Sequence, residues 1–187
     1  GIALVGLLAT ARVFISLAAM DVGTAFGTLG ARRAMMVGFL AEPALLMVIF
    51  VASLITQTTA LPAITEDLAT RPLALYPSLA FTGLAFTIVL LAENARIPVD
   101  NPATHLELTM IHEAMLLEYS ARHLALMEWA AALKLFNYAC IGFALFVPWG
   151  VASGPASLAA LAGSVSVLTL KLLTAGAVLA VIETVSA

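Results

Sequence analysis

The sequence predicts an all-α polytopic transmembrane helix bundle, and three observations carry that reading. The chain of 187 residues is 63% hydrophobic and only 10% charged, whereas soluble domains are near half apolar and a quarter charged. A chain of this size could not bury so much apolar surface in water, so its main solvent is lipid. The apolar residues gather in stretches of roughly 20, the length that crosses a bilayer as a helix. No run of short alternating segments suggests a β-barrel, and lipid admits only structures that satisfy their own backbone.

Five spans follow in order, at about 1–20, 34–56, 73–92, 124–147 and 157–182. The first is interrupted by Arg12, and the second holds Glu42 and Pro43. The third has no charge, the fourth carries Glu128 and Lys134, and the fifth carries Lys171. Between the last two, Pro148, Gly150, Gly154 and Pro155 mark a tight turn. The connections alternate sides. Segments 21–33 and 93–123 share one side and carry Arg32, Arg33, Arg96 and Arg122, whereas the opposite side carries only Arg71. The positive-inside rule places the arginine-rich side in the cytoplasm of a cell-membrane protein. Segment 57–72, with Glu66, Asp67 and two prolines, reads as an ordinary external connection. The chain opens at Gly1 directly on an apolar run and stops just after another, which reads as an internal piece of a longer membrane protein. A basic n-region with a small-residue cleavage site is lacking, which argues against a signal peptide.

Net charge is −3, which argues against nucleic-acid binding. The single cysteine, Cys140, cannot build a disulfide or a cysteine cage alone and reads as a buried structural thiol.

Chemistry concentrates between Glu93 and Trp129, which hold six of the eleven carboxylates and all three histidines. Pro98 and Pro102 keep the backbone extended or turning around Asp100-Asn101. Thr104-His105-Leu106-Glu107 then has the form of a capping box. With no further proline or glycine before Gly142, one helix is expected from Thr104 straight into the fourth span. On a wheel of about 100° per residue, His105, His112, Tyr119, His123 and Lys134 fall within roughly 60°. Glu107, Glu118 and Arg122 share another sector, Glu118 and Arg122 forming an i,i+4 pair, and Glu113 lies between. Solvation on a surface helix would account for such charges equally well. Two histidines seven apart without an obvious third ligand argue against a metal site.

Charges inside spans cost a few kcal/mol or more each unless paired or hydrated. Glu42 lies well inside its span, beside the carbonyl that Pro43 frees. A static pair with Arg12 or a lysine is one reading; a polar proton path through Glu42, Glu128 and Lys134 is the other.

The motifs resemble a family. Ala92-Glu93-Asn94-Ala95-Arg96-Ile97-Pro98-Val99-Asp100 resembles the AExxRxPxD segment of subunit 1 of respiratory complex I, the NADH dehydrogenase subunit 1 family. Pro102, Glu107-Leu108 and Glu118-Tyr119-Ser120 continue the match, and upstream Gly30-Ala31-Arg32-Arg33 with Glu42 resembles its G-x-R segment and intramembrane glutamate. The resemblance covers nearly the whole chain. The run from His105 to Ala114 closely resembles a segment of formate hydrogenlyase subunit 4 and related membrane subunits of group 4 NiFe hydrogenases. Ala103 and His105 stand where the NADH dehydrogenase branch carries acids, which weakens the case for quinone binding.

The resemblance implies about five of roughly eight family spans in this piece, and a subunit that docks a peripheral redox arm and couples electron transfer to proton translocation. The implied pathway residues are Glu42, Glu107, Glu113, Glu118, Glu128 and Lys134. The implied docking residues are Arg32, Arg33, Glu93, Arg96, Asp100, His105, His112 and Arg122. No cofactor is expected on this chain. Fe–S clusters and the NiFe centre belong to partners: hydrogenase large and small subunits, a ferredoxin-like Fe–S subunit and antiporter-like membrane subunits. A quinone-reactive complex I subunit and a purely structural anchor are the rival expectations.

Overall fold

The computed structural model describes residues 1–71, 76–97, 99–100, 111–151 and 157–186. Among them are seven helices: α1 (Ile2–Asp21), α2 (Ala25–Thr56), α3 (Leu61–Thr70), α4 (Pro77–Glu93), α5 (His112–Leu116), α6 (Ala121–Phe146) and α7 (Leu158–Ser186). No strand occurs among the described residues. Four of the helices, α1, α2, α6 and α7, are long and apolar enough to cross a membrane. Helix α4 has 17 residues, about 25 Å at 1.5 Å per residue, a little short of a hydrocarbon core of roughly 30 Å.

Helix α2 is the hub, packing against α1, α3, α4 and α5. Its inward stripe is built largely of small residues, Gly27, Gly30, Ala31, Gly38 and Ala41, followed by Leu45, Val48, Ile49 and Ala52. Small residues let neighbouring backbones approach, which is how helices associate where lipid removes the hydrophobic drive. A Cβ at Gly27 would sit 2.7 Å from the Ala19 carbonyl of α1, and one at Gly30 would sit 3.0 Å from the Ile111 carbonyl beside α5. Below this stripe a continuous apolar core joins Leu45, Ile49, Phe86, Tyr138, Ile141 and Leu145 from α2, α4 and α6.

Three expectations change. Helix α2 begins at Ala25, capped by the Thr24 hydroxyl, which accepts from Gly27 N–H at 3.3 Å. Arg32 and Arg33 therefore ride on the first turns of a 32-residue helix and not in a loop. Segment 57–72 is more than a connection. Pro62 starts α3, whose Ile64 and Leu68, four apart on one face, are buried in the core.

The expected single helix from Thr104 into the fourth span is also corrected. Its start, with His105 and Glu107, lies outside the described residues. Its continuation is broken: α5 ends at Leu116, and Ser120 is extended at φ −133°, ψ 162°. Ala121 then takes φ 47°. Tyr119 supplies a reason, since its hydroxyl donates to the Ala18 carbonyl of α1 at 3.0 Å and ties the break to another helix. His112, Tyr119, His123 and Lys134 therefore do not form one stripe.

Candidate functional site

Four ionisable side chains from four helices meet inside the bundle. Arg12 of α1 reaches across to α2, where its Nη2 donates to Glu42 Oε1 at 2.5 Å. Its Nη1 lies 3.0 Å from Glu93 Oε1 of α4. Lys134 of α6 lies 2.9 Å from the other Glu93 oxygen, Oε2. The Lys134 ammonium also donates to the Glu93 backbone carbonyl at 2.6 Å. The Glu93 side chain is only 2% exposed and that of Arg12 10%. Two cations and two carboxylates make a formally neutral cluster, the condition under which buried charges are tolerated.

Local structure aims each group. Glu93 is the last residue of α4, where carbonyls lack helical partners. The chain leaves through a Schellman turn: Arg96 N–H donates to Leu91 O at 2.9 Å, Ala95 N–H donates to Ala92 O, and Ala95 is left-handed at φ 49°. Lys134 thus neutralises the Glu93 carboxylate and caps the negative end of the α4 dipole at once. Arg12 Nη1 is within ion-pair distance of Glu93 Oε1 but out of line for a hydrogen bond, and that oxygen has no hydrogen-bond partner among the described residues. The same holds for Ser16 Oγ and Arg12 Nε, one turn apart on α1.

Arg12, Glu93 and Lys134 of this cluster line a cavity of about 640 Å³. Its polar side includes Arg12, Ser16, Glu93, Arg96, His112, Glu128 and Lys134, and its apolar side includes Leu172, Ala175 and Leu179 of α7. Helices α1, α2, α4, α5, α6 and α7 all contribute residues to its wall. Burial pushes the His112 imidazole below its ordinary value, an effect that the Asp100 charge partly opposes.

The expected pathway residues separate. Glu42 and Lys134 are in the cluster; Glu113 and Glu128 are exposed on the cavity wall; Glu118 is exposed and is not part of that wall. The expected docking residues also separate. Glu93 points inward to the cluster. Asp100 is buried and accepts backbone N–H groups of Ile111 and His112 at 3.1 and 3.0 Å, fixing the start of α5. Arg96 pairs within the chain, its Nη1 donating to Glu183 Oε1 of α7 at 2.9 Å. Arg32 and Arg122 are exposed and Arg33 is half-buried. Arg12, Ser16 and Glu183 were not singled out as site residues, although Arg12 was visible as a costly charge within a span.

The sequence profile described as NADH dehydrogenase matches residues 2–187. The chain is 37% identical to Hydrogenase-4 component C of Escherichia coli (strain K12) over 175 residues, 92% of this chain and 53% of that protein. It is 32% identical to Formate hydrogenlyase subunit 4 of the same organism over 149 residues, 80% of this chain and 48% of that protein. The chain spans about half the length of these curated relatives. A helical membrane bundle with the Glu93–Asp100 signature, matched along nearly its full length, belongs to the NADH dehydrogenase family, that of complex I subunit 1.

Proposed function

We propose that this chain is the membrane subunit of a formate hydrogenlyase or related group 4 hydrogenase complex, docking the redox arm and coupling its electron transfer to proton translocation. The observation that carries the proposal is the neutral Arg12–Glu42–Glu93–Lys134 cluster, three members of which line a cavity together with further titratable groups. The names of the two relatives supply the hydrogenase context.

The chain sits in the inner membrane with segment 93–123 in the cytoplasm, as its arginine distribution favours. Exposed Arg32, Glu118 and Arg122 face the arm. The arm comprises hydrogenase large and small subunits and a ferredoxin-like subunit, which hold the Fe–S clusters and the NiFe centre; antiporter-like subunits flank the bundle within the membrane. Negative charge arriving in the arm favours uptake of a proton at the cavity. Any charge change there alters how Arg12 is shared between Glu42 and Glu93. Coulomb forces act strongly at such separations in a poorly solvated interior.

Glu42→Gln tests this, because it preserves shape and removes titration. The complex should assemble and its arm should still exchange electrons with an artificial carrier, while hydrogen-linked proton movement in sealed vesicles falls sharply. Proton movement at the wild-type level sinks the proposal and leaves the structural anchor. The cavity volume and its apolar wall favour a second reading, a quinone-reactive complex I subunit. Neighbouring genes separate the two: hydrogenase genes support the first, and genes for NADH- and flavin-binding subunits support the second.

A further inference from the structure

We infer that Gly38 is a positioning residue: the absence of a side chain there makes the notch in α2 that seats the Arg12 guanidinium between Glu42 and Glu93. A Cβ at position 38 would lie 1.4 Å from Arg12 Nη1, 2.3 Å from its Cζ and 2.8 Å from its Nε. No real atom pair tolerates that, so Arg12 must retreat. At Gly27 and Gly30 the nearest obstruction is backbone of another segment, and a methyl would push whole elements apart. At Gly38 the obstruction is the far end of one flexible side chain. The fold can absorb a methyl there; the ion pairs cannot.

The seat and the acid are built together. Gly38 and Glu42 are one turn apart on α2, so they face the same side of the helix. A glycine inside a helix is less favourable than an alanine, and the three atoms nearest to a Cβ at position 38 all belong to the Arg12 guanidinium. To restore an ordinary 3.4 Å contact, Nη1 must withdraw about 2 Å. Coulomb attraction varies as inverse distance, so a withdrawal that lengthens the pairs to Glu42 or Glu93 weakens them. Gly38 thereby determines which carboxylates Arg12 can serve.

This inference rests on the proposed coupling role of the cluster, and its test keeps the two apart. The full-length protein in its assembled membrane complex is made as Gly38→Ala, Arg12→Lys, Arg12→Ala and the doubles Gly38→Ala/Arg12→Lys and Gly38→Ala/Arg12→Ala. Thermal midpoint of the complex and proton movement per hydrogen formed in sealed vesicles are measured. Gly38→Ala should assemble and fall to the proton movement of Arg12→Ala. Arg12→Lys alone should also fall, because one ammonium replaces a fork. The Gly38→Ala/Arg12→Lys double should match Arg12→Lys alone, because the slimmer lysine passes the new methyl. Wild-type proton movement in Gly38→Ala, or a double well below Arg12→Lys, overturns the seat. If Gly38→Ala does not assemble, the Gly38→Ala/Arg12→Ala double decides: recovered assembly supports a clash with Arg12, and continued loss refutes it. If Arg12→Ala leaves proton movement unchanged while the thermal midpoints remain non-additive, the seat stands and the coupling role falls.

Discussion

Glu93→Gln should be the most damaging single neutralisation in the bundle. Among the described residues Glu93 is the one carboxylate that serves two cations, Arg12 at 3.0 Å and Lys134 at 2.9 Å, and its side chain is 2% exposed. At about 3 Å and an effective dielectric of about 20, each contact represents roughly 5 kcal/mol of Coulomb attraction before desolvation is set against it. Breaking a buried pair by removing one partner leaves a net loss of about 3–5 kcal/mol. A tenfold change corresponds to about 1.4 kcal/mol, so the folding equilibrium constant should fall by roughly a hundred- to several-thousand-fold. Glu42→Gln should lose less, because Glu42 is 36% exposed and faces only Arg12. The assay is the thermal midpoint of the purified complex, with retention of this subunit followed on native gels. Adding Lys134→Met to Glu93→Gln restores neutrality, leaving Arg12 against Glu42, and should recover much of the loss. A Glu93→Gln variant within about 1 kcal/mol of wild type would refute the reasoning, as would a double variant whose losses simply add.

Arg96→Glu should loosen α7 and the double Arg96→Glu/Glu183→Arg should restore it, by about 1 kcal/mol or less because both side chains are about one-third exposed; additive losses in a double-mutant cycle on the thermal midpoint exclude the pair. Ala95→Gly should raise stability by about 1 kcal/mol, because a left-handed alanine is strained where glycine is not; an unchanged or lower midpoint contradicts the Schellman geometry. The folded chain favours neutral His112, whereas the unfolded chain takes a proton near the ordinary value of 6.5. Stability from this group is therefore intact above that pH and is lost as pH falls below it. His112→Gln should flatten the acid side of the stability profile, and an unaltered profile would remove His112 from it. Single cysteines replacing Arg122 and Glu66 in a Cys140-free background should react with an impermeant reagent from the cytoplasmic and external sides respectively; the reverse pattern inverts the orientation.

The bundle was legible because its evidence is compositional. An uncharged run such as 77–92 is a lipid-facing helix on its own chemistry, and the alternation of arginines says which ends lie together. The break before α6 was not legible. Nothing in Leu117-Glu118-Tyr119-Ser120-Ala121 forbids a helix, and the left-handed Ala121 runs against its own preference. The bond from Tyr119 to the Ala18 carbonyl, a hundred residues away in the chain, is the kind of tertiary contact that overrides local propensity. Helix α3 was hidden differently. Two prolines and two acids look like a loop, although Pro62 is ideal at a helix start and Ile64 and Leu68 are one turn apart.

The charges within spans show where sequence reasoning stops. Arg12, Glu42, Glu128, Lys134 and Lys171 are equally expensive as letters, but the bundle uses them in three ways. Arg12, Glu42 and Lys134 join Glu93, a residue the motif had suggested as part of a docking loop. Glu128 faces the cavity, where water can reach it. Lys171 does neither: its ammonium donates to the carbonyls of Val147 and Trp149 at 2.6 and 2.5 Å, satisfying the end of α6 where the helix has stopped bonding to itself. A lysine in the least buried of the long helices described is therefore a cap, and it satisfies the condition that a charge in a bilayer needs a partner. What separates the cap from the cluster is which helices lie within reach, and that follows from the small residues of α2. Because Gly27, Gly30, Ala31 and Gly38 draw α1 and α5 close, a long arginine from α1 can span to α2 and α4 at once. These small residues are what make the charges one system.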